Sequence, residues 1–266
     1  MKLLKISITI LIVAVTLQSC NLLSAAGIIS QGQPVKQVEG TLTSTTANSA
    51  VNVDHSLWNS LLKKHVKNNG LVSYNGFKKD KTTLDSYLDQ LANLDPSNKW
   101  SVQELLAYYI NLYNAETVKL IVENYPTKSI KNIKGAWTEG RVTIGNRELS
   151  LGGIENGILR KMNEPRIHFA INCASISCPK LLNEAYTAAK INEQLEKVTV
   201  DFINGNKNDI NATNPKISSI FKFYPKDFKI DGAQNIAEYI NKYSSVKINN
   251  DATLNYKEYN WNLNEQ

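Results

Sequence analysis

The sequence predicts an α+β fold of one domain, helix-rich in its first half, with the helices packed on a small mixed or antiparallel sheet. Three observations support this prediction. Apolar residues recur at helical spacing in residues 54–125, short strand-like segments with turn signals follow from residue 140, and no internal repeat occurs. With 42% hydrophobic and 20% charged residues, the composition excludes a wholly disordered, collagen-like or polytopic membrane protein.

Helices in the first half are bounded by recognisable start and stop signals. The first is predicted from Asp54 to Asn69-Gly70, and a second carries the periodic apolar residues 84–91. Ser101-Val102-Gln103-Glu104 is a capping box that opens a long helix, which ends at Tyr125-Pro126. Apolar residues nearly encircle this long helix, so we expect it to lie at the centre of the domain.

The second half is predicted to mix short strands with helices. The spacing of apolar residues and of Gly, Asn and Pro sets the bounds. The strand predictions cover residues 71–74 before the long helix, a hairpin over 141–149, and segments 166–173, 217–223 and 256–263. The helix predictions cover residues 150–159, a start at Cys178-Pro179, and segments 191–204 and 235–243.

The first 19 residues have the pattern of an export signal. Lys2 and Lys5 precede an apolar run from Ile6 to Leu17, which is shorter than the about 20 residues that span a bilayer. The following Leu17-Gln18-Ser19-Cys20 resembles a bacterial lipoprotein signal, in which Cys20 becomes the acylated mature N-terminus. The alternative is a plain secretory signal with an incidental cysteine. We therefore expect a protein of the bacterial cell envelope, anchored to a membrane through lipid at Cys20.

Residues 20–53 are rich in Ser, Thr, Gly, Gln and Asn, which predicts a flexible tether behind the lipidated cysteine. Residues 54–266 are then the single globular domain. Basic residues exceed acidic ones by only 30 to 24, which does not favour nucleic acid as a partner. The sequence contains no GxGxxG motif, P-loop or GxSxG motif, so it predicts no cofactor.

The most chemically suggestive segment contains one histidine and two cysteines. His55 and His65 fit a solvated face of the first helix, which leaves His168 as the candidate. Strand alternation puts His168 and Asn172 on one face and Cys173 on the core face. Pro179 fits a first helical position, which makes Cys178 a helix N-cap with a lowered thiol pKa. A Cys178 nucleophile with His168 as base is the resulting hypothesis.

Three other interpretations of these residues stay open. Cys173 and Cys178 could form a disulfide, because an exported protein meets an oxidising compartment. His168 and the two cysteines could bind a metal, but their spacing matches no common zinc pattern and we predict no metal site. All three could also be purely structural residues.

Polar side chains in apolar surroundings are candidates to support such a site. Asn111 and Asn114 lie one turn apart in the long helix, where they could hold backbone loops or a catalytic histidine. Glu155 lies in an otherwise apolar helical turn. We expect Asn114 or Glu155 to orient His168. We expect Asn111, Asn172 and Cys173 to contribute to binding at the site.

Several motifs in this region together resemble a family known as the domain of unknown function numbered 547. They span most of residues 100–225, and Asn156 stands where the family often has histidine. The matching stretches are Ala107-Tyr108-Tyr109-Ile110-Asn111-Leu112-Tyr113-Asn114-Ala115, residues 149–159, Arg166-Ile167-His168-Phe169-Ala170-Ile171-Asn172-Cys173, Ser177-Cys178-Pro179 and Ile220-Phe221-Lys222-Phe223-Tyr224.

The resemblance marks Asn111, Asn114, Glu155, His168, Cys173 and Cys178 as positions of the family's polar motifs and implies no established reaction. The set of Cys, His and amide side chains is similar to that of papain-like or transglutaminase-like thiol enzymes. The sequence therefore predicts a thiol enzyme for acyl transfer or amide hydrolysis on a peptide or cell-wall-like substrate. The alternative is a non-catalytic envelope binding or scaffolding module whose polar cluster is structural.

Overall fold

Four helices build the first half of the domain. A computed structural model describes residues 20–230 and 232–266 of the chain. The helices are α1 Ser56–His65, α2 Tyr74–Lys79, α3 Lys81–Ala92 and α4 Val102–Glu123. The predicted strand at 71–74 is reduced to a bridge at Val72, because Ser73 caps α2 by accepting the N–H of Gly76.

Helix α4 is the central element, as the sequence predicts. The hydroxyl of Ser101 accepts the N–H of Glu104 at 3.1 Å and starts the helix. Every residue from Glu104 to Val118 is buried, so the helix is covered on all sides. The core around it is continuous and contains large aromatic side chains from both halves of the chain, among them Trp58, Tyr87, Phe169, Phe221 and Phe228.

A hairpin and an irregular helical segment follow α4. After a short 3-10 helix at Ile130–Asn132, strands β1 Gly140–Ile144 and β2 Arg147–Ser150 pair antiparallel, as predicted. Gly145 forms their turn with φ +60°, a conformation that favours glycine. The helix predicted at 150–159 is a π-helix at Gly153–Ile158, continued by a 3-10 helix at Leu159–Met162.

The rest of the chain has short helices and one further pair of strands. In order these are α5 Ile167–Ala170, α6 Ile191–Ile203, β3 Lys216–Ile217, α7 Ile220–Phe223, α8 Ile236–Tyr243 and β4 Asn255–Tyr256. Strands β3 and β4 pair in parallel. The fold is therefore a single α+β domain with two small sheets, one antiparallel and one parallel, and this confirms the predicted fold class.

Two predicted elements of this half are wrong. Residues 166–173 are not a strand, because Glu164 caps a helical turn: its carboxylate accepts the N–H of Arg166 and its carbonyl accepts that of Ile167. No helix starts at Pro179, because side-chain hydrogen bonds hold the following backbone in an irregular path up to α6. The strand predicted at 217–223 is also wrong beyond Ile217, because residues 220–223 form α7. Of the strand predicted at 256–263, Tyr256 lies in β4 and Leu263 forms an isolated bridge, and the residues between them are loop.

Residues 20–53 are packed on the domain, which corrects the prediction of a flexible tether. Residues 20–25 are helical, and Val38, Leu42 and Val53 join the core. Buried amides replace the apolar residues that the segment lacks; Gln33, for example, accepts a hydrogen bond from the Tyr109 hydroxyl at 3.0 Å. The capping-box residue Glu104 accepts the N–H of Val53 at 2.9 Å.

Glycines of the π-helix region make room for this segment. A Cβ on Gly157 would lie 2.6 Å from the carbonyl oxygen of Ile29, and one on Gly153 would lie 2.5 Å from the hydroxyl of Ser24. A Cβ on Gly152 would lie 2.9 Å from that of Ala25. We call Gly152, Gly153 and Gly157 the glycine cradle. The segment is thus seated on the domain by close backbone contact.

The predicted signal peptide at residues 1–19 lies outside the described residues. Over residues 20–230 and 232–266, no helix combines the length and the apolar character needed to cross a membrane.

Candidate functional site

Two buried amides on α4 hold backbone segments on either side of the site. Asn111 donates to the carbonyl oxygen of Tyr186 at 2.8 Å and accepts the N–H of the same residue at 3.1 Å. Asn114 donates to the carbonyl oxygen of Ala170 at 3.0 Å and accepts the N–H of Asn172 at 2.8 Å. Neither amide bonds to His168, so the expected orienting role of Asn114 is not seen.

Asn172 shapes the loop that carries both cysteines. Its side chain donates to the carbonyl oxygen of Pro179 at 2.6 Å and accepts the N–H of Ala174 at 2.8 Å. Ala174 has a φ of +58°, a left-handed conformation that turns the chain back on itself. Asn172 therefore acts on the loop backbone and brings Cys173 and Cys178 together.

Cys173 and Cys178 form a disulfide, with their Cα atoms 6.2 Å apart. The disulfide is therefore the alternative, among those left open by the sequence, that is found in the structure. Among the residues described, no group of three His, Cys, Asp or Glu side chains could hold a metal ion. Cys178 is also not a helix N-cap, since α6 begins only at Ile191.

Hydrogen-bond donors nevertheless converge on the sulfur of Cys178. The N–H of Cys173 donates to Cys178 Sγ at 3.0 Å, and the hydroxyl of Tyr259 lies 3.2 Å from the same atom. The Tyr259 hydroxyl is also 3.3 Å from Cys173 Sγ. Burial raises the pKa of Tyr259 to about 12, although a hydrogen bond with Ser175 opposes the shift. The phenol therefore remains a donor at neutral pH.

His168 lies on α5 and is paired with Asp227, which the sequence analysis missed. The distance from His168 Nε2 to Asp227 Oδ2 is 2.8 Å, and Arg160 binds the same carboxylate through two nitrogens. Burial opposes ionisation of Asp227, but the hydrogen bonds from His168 and Arg160 outweigh it and lower the pKa to about 2. A carboxylate accepts here, so Nε2 carries a proton, and any exchange of a proton with a substrate or a thiol falls to Nδ1.

The imidazole is fixed further by stacking on Tyr224. The two ring centroids are 4.3 Å apart and the planes differ by 23°. The Tyr224 hydroxyl donates to Glu155 Oε1 at 2.6 Å, and the Tyr113 hydroxyl donates to Oε2 at 3.1 Å. Glu155, on the π-helix, therefore acts on His168 only through Tyr224, and not by the direct contact expected from the sequence.

His55 and His65 are buried, which corrects their placement on a solvated helix face. The Nδ1 atom of His55 lies 2.7 Å from the Tyr87 hydroxyl, and burial lowers the pKa of His55 to about 4. His65 Nε2 lies 2.6 Å from Asp80 Oδ2, and its ring packs on Phe77. Contacts with α2 and α3 explain the burial, and neither residue reaches the candidate site.

A cavity of about 330 Å³ brings part of the predicted site together. It is lined by His168, Glu155, Cys173, Tyr224 and Tyr259, and we call it the histidine cavity. Cys178, Asn172, Asn111, Asn114 and Cys20 do not line it, so the cavity places His168 with Cys173 and not with Cys178. Ala25, from the segment seated on the glycine cradle, forms part of its rim.

The comparisons with known proteins give one result for this region. Residues 97–203 match the family described as Protein of unknown function, DUF547. No curated protein and no solved structure matches the chain. The matched residues include α4, Glu155, His168 and both cysteines of the disulfide, whereas Tyr224, Asp227 and Tyr259 lie beyond them. The match therefore supports assigning residues 97–203 to the domain family DUF547.

Proposed function

We propose that the domain is a thiol enzyme that transfers or hydrolyses acyl groups on a peptide or cell-wall-like substrate, with Cys178 as nucleophile. The observation that supports this most is the pair of donors on Cys178 Sγ, the N–H of Cys173 and the hydroxyl of Tyr259. Hydrogen bonds to a thiolate favour the charged form and lower the thiol pKa. Apart from the disulfide bond, the hydrogen-bond contacts of Cys173 Sγ within the described residues are with the hydroxyl groups of Ser175 and Tyr259.

In this proposal the disulfide is the resting form. An external dithiol reduces the bond, is itself oxidised to a disulfide, and leaves Cys173 and Cys178 as thiols. Cys178 lines a different cavity from His168, so its side chain has to turn towards the imidazole once the disulfide is open. His168 Nδ1 then takes the proton of the Cys178 thiol, and the sulfur attacks the acyl carbonyl carbon. The amine leaves with that proton, and water or an acceptor amine releases the acyl group from the thioester. Asp227 holds the ring in the tautomer that makes Nδ1 basic.

The test is the pH dependence of alkylation in the reduced protein. Iodoacetamide should modify Cys178 in Cys173→Ser with an apparent pKa below the free value of about 8.5. Tyr259→Phe in the same background should raise that pKa, because it removes one donor and leaves the ring in place. Cys178→Ser is the matched control for Cys173. If the two thiols titrate alike, or if Cys173 is the more acidic, Cys178 is not the nucleophile.

A second measurement tests chemistry directly. Reduced protein treated with p-nitrophenyl acetate should gain one acetyl group on Cys178 by mass spectrometry, and Asp227→Asn should slow this acylation. His168→Gln should slow it further, since it removes the base. Acylation that is unchanged in His168→Gln would contradict the role of the imidazole.

The rival function is a binding or scaffolding module, and one observation favours it. Within the described residues no hydrogen bond joins His168 to either sulfur, since Nε2 is committed to Asp227 and the sulfurs to each other. A module of this kind predicts that both thiols titrate at their free value after reduction and that His168→Gln lowers stability alone. The alkylation experiment therefore separates the two functions.

We also propose export and a lipid anchor at Cys20, which would place the domain in the bacterial cell envelope. The support is the sequence pattern of Lys2, Lys5, the apolar run and Leu17-Gln18-Ser19-Cys20. The protein expressed in a bacterium should partition into the detergent phase of Triton X-114, and Cys20→Ala should move it to the aqueous phase. Unchanged partitioning of Cys20→Ala would overturn the anchor.

A further inference from the structure

A larger cavity, of about 700 Å³, is lined by Cys178 and is separate from the histidine cavity. Among the described residues the two share only Pro179 in their linings. This volume falls in the range of about 300–1,000 Å³ that is common for small-molecule sites. Four lysines line it, and we call it the lysine cavity: Lys63, Lys180, Lys197 and Lys207.

The charges of this lining do not cancel. Lys197 Nζ lies 2.7 Å from Asp201 Oδ2, so these two side chains neutralise each other. Glu184 is the remaining acidic residue of the described lining, and it faces three further lysines. The cavity therefore has a net positive charge, and an anionic group that enters it gains favourable electrostatic energy.

The fold positions the ammonium group of Lys207 and the side-chain stem of the exposed Lys180. Lys207 is half-buried and donates to the carbonyl oxygen of Ile176. Burial lowers the pKa of Lys207, and the charges of Lys180 and Lys257 lower it further. Lys180 packs against Gly70, where an added Cβ would lie 2.6 Å from the Lys180 Cβ. Lys207 therefore supplies a positioned cation, and the exposed Lys180 adds a second positive charge to the same lining.

The wall of the cavity that α5 and α6 form is apolar. Val198 and Phe202 line the cavity there with small accessible apolar surfaces, and Phe169 is fully buried behind them. A site lined by lysines and by aromatic and aliphatic side chains is complementary to a molecule that has both an anionic and an apolar group.

We propose that the lysine cavity binds an amphiphilic anion, whose carboxylate or phosphate contacts Lys180 and Lys207 and whose apolar body packs on Val198 and Phe202. This site goes beyond the thiol chemistry and does not depend on it, because the cavity is present with the disulfide formed. Since Cys178 lines the cavity, an occupant also lies beside the disulfide.

The test is calorimetric titration of the oxidised protein with decanoate, decyl phosphate and decyltrimethylammonium. Both anions, or one of them, should bind, and the tighter one identifies the preferred head group. Lys180→Gln and Lys207→Gln should each weaken binding roughly tenfold, as expected for loss of a charge-assisted contact. Lys78→Gln removes an exposed lysine outside the cavity and is the matched control.

Two further results decide the proposal independently of how well the variants fold. The affinity of the unmodified protein for the anions should fall as salt is added, because added ions screen partly exposed charges. Equal affinity for decyltrimethylammonium would overturn the proposal. It would also be overturned if folded Lys180→Gln and Lys207→Gln bound as tightly as Lys78→Gln.

Discussion

At the scale of single residues, the polar side chains of the site divide into those that hold the backbone and those that face the cavity. Asn111, Asn114 and Asn172 belong to the first group, and His168 and Glu155 to the second. The sequence identifies these residues because polar groups among apolar neighbours need partners. It could not identify Asp227 as the partner of His168, since 59 residues separate them and no local pattern links them.

The amide of Asn114 gives a prediction about stability. In Asn114→Ala the buried carbonyl of Ala170 and the buried N–H of Asn172 both lose their partner, so unfolding should become easier by about 3 kcal/mol. Urea denaturation measures this. Asn124→Ala is the control: Asn124 donates to the carbonyl of Leu120 at the accessible end of α4, and water can replace it. Equal losses in the two variants would show that Asn114 does not brace the loop.

At the scale of elements, the helices with strong periodicity and a side-chain cap are found close to their predicted bounds. Helix α4 begins at the predicted capping box, and α8 begins where Asn235 accepts the N–H of Glu238. The failures occur where a few side chains override local preference. Residues 166–173 alternate like a strand, yet the Glu164 cap folds them into α5. Residues 20–53 have a tether's composition, yet the glycine cradle and buried amides hold them.

The glycine cradle gives a prediction for this segment. In Gly157→Ala the new methyl group would lie 2.6 Å from the carbonyl oxygen of Ile29, a backbone atom that cannot move alone. Residues 20–29 should therefore detach from the glycine cradle and exchange amide hydrogens faster, while the amides of α4 stay protected from exchange. Gly145→Ala is the control, because nothing lies within 4 Å of its added Cβ and only its φ of +60° is affected. Unchanged exchange of residues 20–29 in Gly157→Ala would contradict the cradle.

At the scale of the whole molecule, the half-buried Asp227 and the buried Glu116 shape the dependence of stability on pH in opposite ways. Asp227 has a pKa of about 2 against an ordinary 3.8, so its contribution is present above 3.8 and is lost as pH falls towards 2. Burial raises the pKa of Glu116 from 4.5 to about 7, although Lys119 and Arg141 oppose the shift. The folded state therefore holds this proton more tightly than the unfolded state, and stability falls as pH rises from 4.5 through 7.

Glu116→Gln tests the second effect. The variant cannot ionise, so it should gain stability over the unmodified protein as pH rises, by about 3 kcal/mol between pH about 5 and about 8. Denaturant titrations of both proteins at the two pH values measure how the difference between their free energies of unfolding changes with pH. Glu123→Gln, at a more accessible position of α4, is the control for loss of a carboxylate near Arg141. If the difference between the two free energies of unfolding is the same at both pH values, Glu116 is ionised in the folded protein over this whole pH range.

The packing of residues 20–53 on the domain limits the distance between the domain and an anchor at Cys20. A free chain of that length would give a reach on the order of 30 Å. Because residues 20–53 follow the domain surface, that reach is removed, and an acyl chain on Cys20 would fix the orientation of the molecule. Ala25 lies five residues from that point and on the rim of the histidine cavity. The histidine cavity would then stay close to the bilayer surface, and substrates would have to be close to the membrane to enter it.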